Sequence, residues 1–138
     1  MAALQNALNQ YKQVGTQGGV AEASPHKLIQ MLIDGALDRI SIAKGHMERN
    51  EVALKGENIS KAIGIIDGLR ASLDKSADGG LVEKLEALYE YMGLRLVEAN
   101  IKNSPEILEE VSSLMREIKA GWDGIAEHAA KLEATKQR

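Results

Sequence analysis

The stretch SPHKLIQMLIDGALDRISIAKGHM, residues 24–47, predicts an amphipathic helix with a defined beginning. Ser24 belongs to the residue types that cap helix N-termini, and Pro25 stands at the first helical position, where its missing N–H carries no penalty. Beyond them, apolar residues recur every three or four positions, as expected for one buried helix face. These positions are Leu28 or Ile29, then Leu32, Ala36, Ile40, Ala43 and Met47. The helix is expected to end near Asn50.

Three further helical patterns follow this first one. The second is expected over about 52–74 and the third over about 81–101, whereas the fourth begins at Ser104 and Pro105, which repeat the cap and the proline. Short connections between four such helices favour antiparallel neighbours in one bundle. The predicted fold is therefore all-α, an antiparallel four-helix bundle spanning residues 24–138.

The third helix carries apolar residues on more than one face. Leu88 and Met92 belong to its core stripe, and Tyr89, Tyr91 and Leu94 cannot all share that stripe with them. A helix of this kind is either central in its bundle or covered by a partner. At least one of the three side chains is expected to face a groove, although a boundary position between helices is equally open for each.

Residues 1–23 differ from the rest of the chain. They are rich in Gln, Asn and Gly, and Leu4, Leu8 and Tyr11 recur at a spacing that allows a short, marginal helix. Glycines at 15, 18 and 19 loosen the backbone before the first long helix. This segment is predicted to be a flexible N-terminal arm with a few apolar anchors.

The composition excludes several classes of protein. The 138 residues are 44% hydrophobic and only 3% aromatic, with no Cys and a formal net charge of −3. Without Cys there is no disulfide, thiolate metal site or Cys nucleophile, and the acidic balance disfavours a nucleic-acid partner. The N-terminus lacks the features of a signal peptide, and no stretch approaches the ~18 apolar residues of a membrane span. A cytoplasmic protein without direct membrane insertion is expected.

No pattern of catalytic or metal-binding residues stands out. The three histidines, at 26, 46 and 128, have neither the Glu-x-x-His pairing of di-iron bundles nor the four-residue spacing of a helical zinc site. Residues 74–85 match part of an EF-hand calcium loop, but Leu85 stands where a bidentate Glu is required. No glycine-rich phosphate loop or nucleophile elbow occurs. We therefore expect no catalytic residue, no metal and no cofactor.

Three segments in fixed order resemble the FliS family of flagellar secretion chaperones. They are ASPHKLIQMLIDGALDRI (23–40), ISKAIGIIDGLRASLD (59–74) and GGLVEKLEALYEYMGLRLVEANIKNSPEILEEV (79–111). Tyr11 and Val14 resemble the N-terminal Tyr-x-x-Val element of the family, and Trp122 falls where its helix-four Trp is expected. The departures are Ile33, where the family commonly has Tyr, Gly93 inside the third helix, a varied turn at Ser76–Asp78, and one Tyr in the N-terminal arm where the family often has two.

This resemblance implies a non-enzymatic export chaperone in the cytoplasm. Such a protein binds the disordered C-terminal segment of flagellin, prevents premature polymerisation and delivers the subunit to the gate of the flagellar type III export apparatus. For some members a second partner, a regulator of flagellar gene expression or filament assembly, is implied as well. The alternative is a helical-bundle adaptor or regulator-binding protein with no flagellin client.

Seven residues are candidates for contacts with a partner. Through the resemblance, Tyr11 and Val14 cover the groove or touch the export gate, unless they belong to an unstructured tail. Ile33 is either core or a replacement for the family's Tyr contact. Asn100 is either a local cap near the end of the third helix or a backbone-directed contact to the client. The full set is Tyr11, Val14, Ile33, Tyr89, Tyr91, Leu94 and Asn100.

Overall fold

The computed structural model describes residues 24–74, 76 and 80–136, with side chains as far as Gly124. Within this part of the chain four helices follow one another: α1 (Pro25–Glu48), α2 (Val52–Ala71), α3 (Leu81–Lys102) and α4 (Pro105–Lys136). Each helix packs against its neighbour in the chain, and α4 closes the ring by packing against α1. The predicted all-α four-helix bundle is confirmed, and the predicted arm at 1–23 lies outside the described residues.

Both predicted helix beginnings are present with their caps. The Ser24 hydroxyl accepts a hydrogen bond from the Lys27 N–H at 3.2 Å, and the Ser104 hydroxyl accepts one from the Ile107 N–H at 3.3 Å. Each cap satisfies one of the N–H groups that the first turn of a helix leaves without a partner. At the other end, α1 stops two residues before the expected Asn50, which adopts a left-handed conformation with φ of 59°.

The core lies between the inner faces of all four helices and consists of aliphatic and Met side chains. The predicted stripe of α1 from Leu32 to Met47 is buried, as are Met92 and Leu96 of α3. Leu81 falls on the heptad-spaced line of Leu88 but is 57% exposed, because it is the first residue of α3. The other buried apolar residues of α2 and α4 are Ile59, Ala62, Ile65, Ile66, Leu69, Ile107, Leu108, Val111 and Met115.

The connection between α2 and α3 contains a local turn at the position of the calcium-like sequence. The Asp74 carboxylate accepts hydrogen bonds from the Ser76 N–H at 3.0 Å and from the Ser76 hydroxyl at 2.6 Å. These bonds hold the pKa of Asp74 below its ordinary value. Among the residues that the structure describes, no three acidic or His side chains are grouped so as to hold a metal ion.

Candidate partner-binding surfaces

The outer face of α3 is an apolar strip that points away from the bundle. We use this name for Ala87, Tyr91, Leu94, Val97 and Ile101, all of which are exposed. Leu94 and Ile101 keep 65% and 78% of their surface accessible, whereas Met92, Leu96 and Ala99 on the opposite side of the helix are buried. Because these residues recur at three- and four-residue intervals, they align along one side of the helix over roughly 20 Å.

The α4 side of this face is held by a network around Glu110. The Tyr91 hydroxyl and the Arg95 Nε–H both donate to the Glu110 carboxylate at 2.7 Å. The bond from Tyr91 and then the bond from Arg95 lower the pKa of Glu110, and the same carboxylate raises the pKa of Tyr91. Arg95 also pairs with Glu98 at 2.5 Å. The phenol ring of Tyr91 is thereby fixed at the edge of the apolar strip.

The α2 side of the outer face of α3 is bordered by a second group of paired charges. Arg70 of α2 lies 3.4 Å from Glu86 and 3.7 Å from Glu90 of α3. The carboxylates next to the strip are therefore neutralised largely by the protein's own arginines. A partner that binds here is selected by its apolar side chains and its shape more than by its charge.

A separate apolar pocket of about 430 Å³ lies at the end of the bundle where α1 and α3 begin. We call it the end pocket. Its walls come from α1, α3, α4 and the turn after α2, and include Ile29, Leu73, Leu85, Ile118 and Trp122. Gly121 also lines it, and a Cβ added there would meet no atom within 4 Å, so the glycine leaves this wall open.

Trp122 joins the beginning of α1 to α4 beside the end pocket. Its indole N–H donates to the His26 carbonyl oxygen at 3.0 Å, and its ring stacks on the His26 ring with centroids 4.4 Å apart and planes inclined by 7°. Two more hydrogen bonds join α1 to α4: Gln30 donates to Asp123, and Lys119 donates to Asp34 at 2.6 Å. Trp122 is half-buried and packs against the edge of the core.

The structure separates the candidate residues that the sequence grouped together. Tyr91 and Leu94 lie on the outer face of α3, whereas Tyr89 is only 5% exposed and lines the end pocket from within the core. Ile33 is fully buried, because the face of α1 that carries it packs inside the bundle, so Ile33 is not available for a partner contact. Tyr11 and Val14 lie outside the described residues.

Asn100 lies beside the first turn of α2 rather than on the apolar strip. Its carbonyl oxygen accepts a hydrogen bond from the Lys55 ammonium at 3.1 Å. A Cβ added at Gly56 would lie 3.9 Å from the Asn100 amide nitrogen. These contacts favour the structural interpretation of Asn100, at the junction of α2 and α3.

Sequence reasoning missed two residues of the outer face and the whole end pocket. Val97 and Ile101 follow Leu94 by three and seven positions, so the helical period that singled out Leu94 also pointed to them. The end pocket has no such signal, since its walls come from residues far apart in the chain.

Burial also sets the ionisation of Tyr89. Removal from water raises the pKa of Tyr89 to about 12, because a buried phenolate is poorly solvated. Deprotonation therefore favours the unfolded chain, whose Tyr pKa is about 10. This contribution to stability is complete below pH ~10 and is lost as the pH rises towards 12.

An ultraviolet titration of tyrosinate should accordingly show a late phase near pH 12 that coincides with unfolding by circular dichroism. Tyr89→Phe should remove that phase, and Tyr91→Phe should leave it in place. A Tyr89→Phe protein with an unchanged late phase would contradict the burial of this phenol.

The fold and these surfaces define a class of protein: a four-helix bundle with an exposed apolar strip and an apolar pocket at one end. The family profile described as Flagellar protein FliS matches residues 7–129. The chain is 52% identical over 120 residues to flagellar secretion chaperone FliSB of Pseudomonas aeruginosa, covering 87% of this chain and 95% of the relative. It is 41% identical over 130 residues to flagellar secretion chaperone FliS of Salmonella typhimurium, covering 94% and 96%. The chain belongs to the FliS family of flagellar secretion chaperones, as its sequence motifs predicted.

A further relative extends the match over almost the whole chain. Flagellar secretion chaperone FliS of Vibrio cholerae is 37% identical over 131 residues, which cover 95% of this chain and 96% of the relative. The family is one of chaperones, which is not a class of enzymes. In the described part of the chain, none of the helices has the length and apolar character to span a membrane.

Proposed function

We propose that this protein is a cytoplasmic export chaperone that binds the disordered C-terminal segment of flagellin. It prevents premature polymerisation and delivers the subunit to the flagellar type III export gate. The observation that carries the proposal is the outer face of α3, where Tyr91, Leu94, Val97 and Ile101 lie exposed on one side of a well-packed helix. Contiguous exposed apolar surface of this kind marks an interaction site. Membership in a family of flagellar secretion chaperones supports flagellin as the partner.

The chemistry of the client matches such a surface. A segment that associates with other flagellin molecules through an apolar face must keep that face covered until export. An amphipathic helix laid along the outer face of α3 covers it by matching apolar residues at helical spacing. Because a disordered segment loses conformational entropy when it binds, it needs a long contact for useful affinity, and the strip supplies roughly 20 Å. No catalytic group takes part in this function.

The function can be tested by following polymerisation directly. Monomeric flagellin is seeded with short filament fragments, and elongation is measured by light scattering. An equimolar amount of the wild-type protein is expected to suppress elongation. Flagellin lacking its C-terminal segment serves for a pull-down control and should not be retained by the protein. Normal elongation in the presence of excess protein would contradict the proposal.

The first 23 residues are proposed to act as an arm that regulates this binding. They precede Ser24, at the end of the bundle where Ile29 lines the end pocket, and they contain Tyr11 and Val14. Deleting residues 1–20 is expected to leave the melting curve of the bundle unchanged. The same deletion should change affinity for the flagellin segment or for the export gate, measured by calorimetry with each partner. Unchanged affinity for both would remove the arm from the mechanism.

A further inference from the structure

Lys55 is a buried charged residue at the junction of α2 and α3. It lies in the first turns of α2 and is only 5% exposed. Its ammonium donates to the Asn100 carbonyl oxygen at 3.1 Å and to the Asn103 side-chain oxygen at 3.0 Å. Both acceptors belong to the C-terminal end of α3, some 45 residues later in the chain.

The position of Lys55 is unfavourable for its own helix. A cation near a helix N-terminus opposes the macrodipole, and a buried ammonium is costly unless hydrogen bonds compensate for lost water. The macrodipole of α2 and the cost of burial therefore both disfavour Lys at this position. At the end of α3 the same ammonium is favourable, because the last carbonyl groups of a helix lack partners and carry partial negative charge. The contacts of Lys55 therefore serve the end of α3.

The backbone cap of α3 reaches the Ala99 carbonyl, and the Asn100 carbonyl is bonded by Lys55. Asn103 adopts a left-handed conformation with φ of 52°, and the Ser104 N–H reaches back to the Ala99 carbonyl oxygen at 3.0 Å. The Asn100 carbonyl is satisfied instead by Lys55, across the helix boundary. Between these residues lies Ile101, which at 78% exposure receives little support from packing. Lys55 thus gives the last turn a hydrogen bond, at the Asn100 carbonyl, that the backbone cap onto Ala99 does not supply.

We infer that Lys55 is a positioning residue for the outer face of α3. Its ammonium caps the C-terminal turn of α3 from the neighbouring helix and so fixes Ile101, at one end of the apolar strip, in line with Leu94 and Val97. A strip that is ordered before binding loses less entropy when a client helix docks on it. This inference rests on the proposed function, since it assigns the docking of the flagellin segment to this face.

The test uses Lys55→Met in the full-length protein. Met retains most of the aliphatic stem but lacks the ammonium, so the Asn100 carbonyl loses its partner. Lys61→Met is the matched control, because Lys61 lies on the same helix and pairs with Glu57, one turn earlier, at 3.2 Å. Asn103→Gly is a second variant, which removes one acceptor while favouring the same left-handed backbone.

Amide hydrogen exchange and calorimetry with a synthetic C-terminal flagellin peptide are measured on each protein. In Lys55→Met, exchange at residues 100–104 is expected to accelerate about tenfold, since a hydrogen bond to a charged group is lost. Peptide affinity should fall about fivefold or more, whereas exchange around Trp122 at the opposite end should stay as in the wild type. Asn103→Gly should show the same changes to a smaller extent, and Lys61→Met neither.

Three results from the variants would overturn the inference. Unchanged exchange at residues 100–104 would show that Lys55 does not cap α3. Equal acceleration at both ends of the bundle would assign Lys55 to general stability. Faster exchange at residues 100–104 together with full peptide affinity would show that Lys55 caps α3 but does not contribute to docking. Failure of the wild-type protein to bind the peptide would refute the proposed function and the docking role together, while the exchange data would still decide the cap.

Discussion

Replacing Leu96 by Ala is expected to lower the free energy of unfolding by about 2–5 kcal/mol, the range observed for Leu→Ala in tightly packed cores. Leu96 is 0% exposed and lies on the inner face of α3 with Met92 and Ala99. Truncation removes apolar contacts and leaves a cavity that four mutually packed helices can close only in part. Urea denaturation followed by circular dichroism measures the change.

The matched control for this substitution is Leu94→Ala, two residues earlier on the same helix. The chemical change is identical, but Leu94 is 65% exposed and packs little against the bundle. Its effect on stability should remain within about 0.5 kcal/mol, as for ordinary surface substitutions. Comparable losses for both variants would contradict the assignment of an inner and an outer face of α3.

Replacing Leu94 by Asp is expected to weaken binding of the flagellin segment about tenfold or more. The substitution places a carboxylate in the middle of the apolar strip, where a bound helix would bury it without a partner. Because Leu94 is exposed, the free protein should retain most of its stability. Affinity is measured by calorimetry with the C-terminal flagellin peptide, and folding by a thermal melt of the same preparation.

Leu81→Asp distinguishes the two apolar surfaces in this experiment. Leu81 is also an exposed Leu of α3, but it borders the end pocket rather than the outer face. An acidic residue in the first turn of a helix is favourable for the helix itself. Full affinity of Leu81→Asp beside weakened Leu94→Asp would place the client on the outer face. The reverse pattern would place it at the end pocket, and a collapsed melt of Leu94→Asp would place Leu94 in the core.

Local signals explain how much of the fold could be predicted from the sequence. Ser24 with Pro25, and Ser104 with Pro105, determine where α1 and α4 begin through hydrogen bonds within four residues. The apolar period determines which side of each helix turns inward. Both the caps and the apolar period can be read from short stretches of sequence. The number of helices and the core stripe of α1 could therefore be predicted.

The candidate surfaces depended on packing, which the sequence predicts only in part. The period of α3 separates Met92 and Leu96 from Leu94, yet an apolar second face fits a central helix as well as an exposed one. Ile33 illustrates the limit on α1, since its full burial arises where the faces of neighbouring helices meet. Lys55 would have been taken for a solvated surface charge, because its acceptors lie at Asn100 and Asn103 on another helix.

The most direct measurement of the central claim is isothermal titration calorimetry of the wild-type protein with the C-terminal segment of flagellin. The account predicts one segment bound per chaperone, with a negative heat-capacity change from burial of the apolar strip. Binding to Leu94→Asp should be weaker by about tenfold or more under the same conditions. A wild-type protein that gives no heat of binding at about tens of micromolar would contradict a chaperone that holds flagellin before export. Such a result means a binding free energy weaker than roughly −6 kcal/mol.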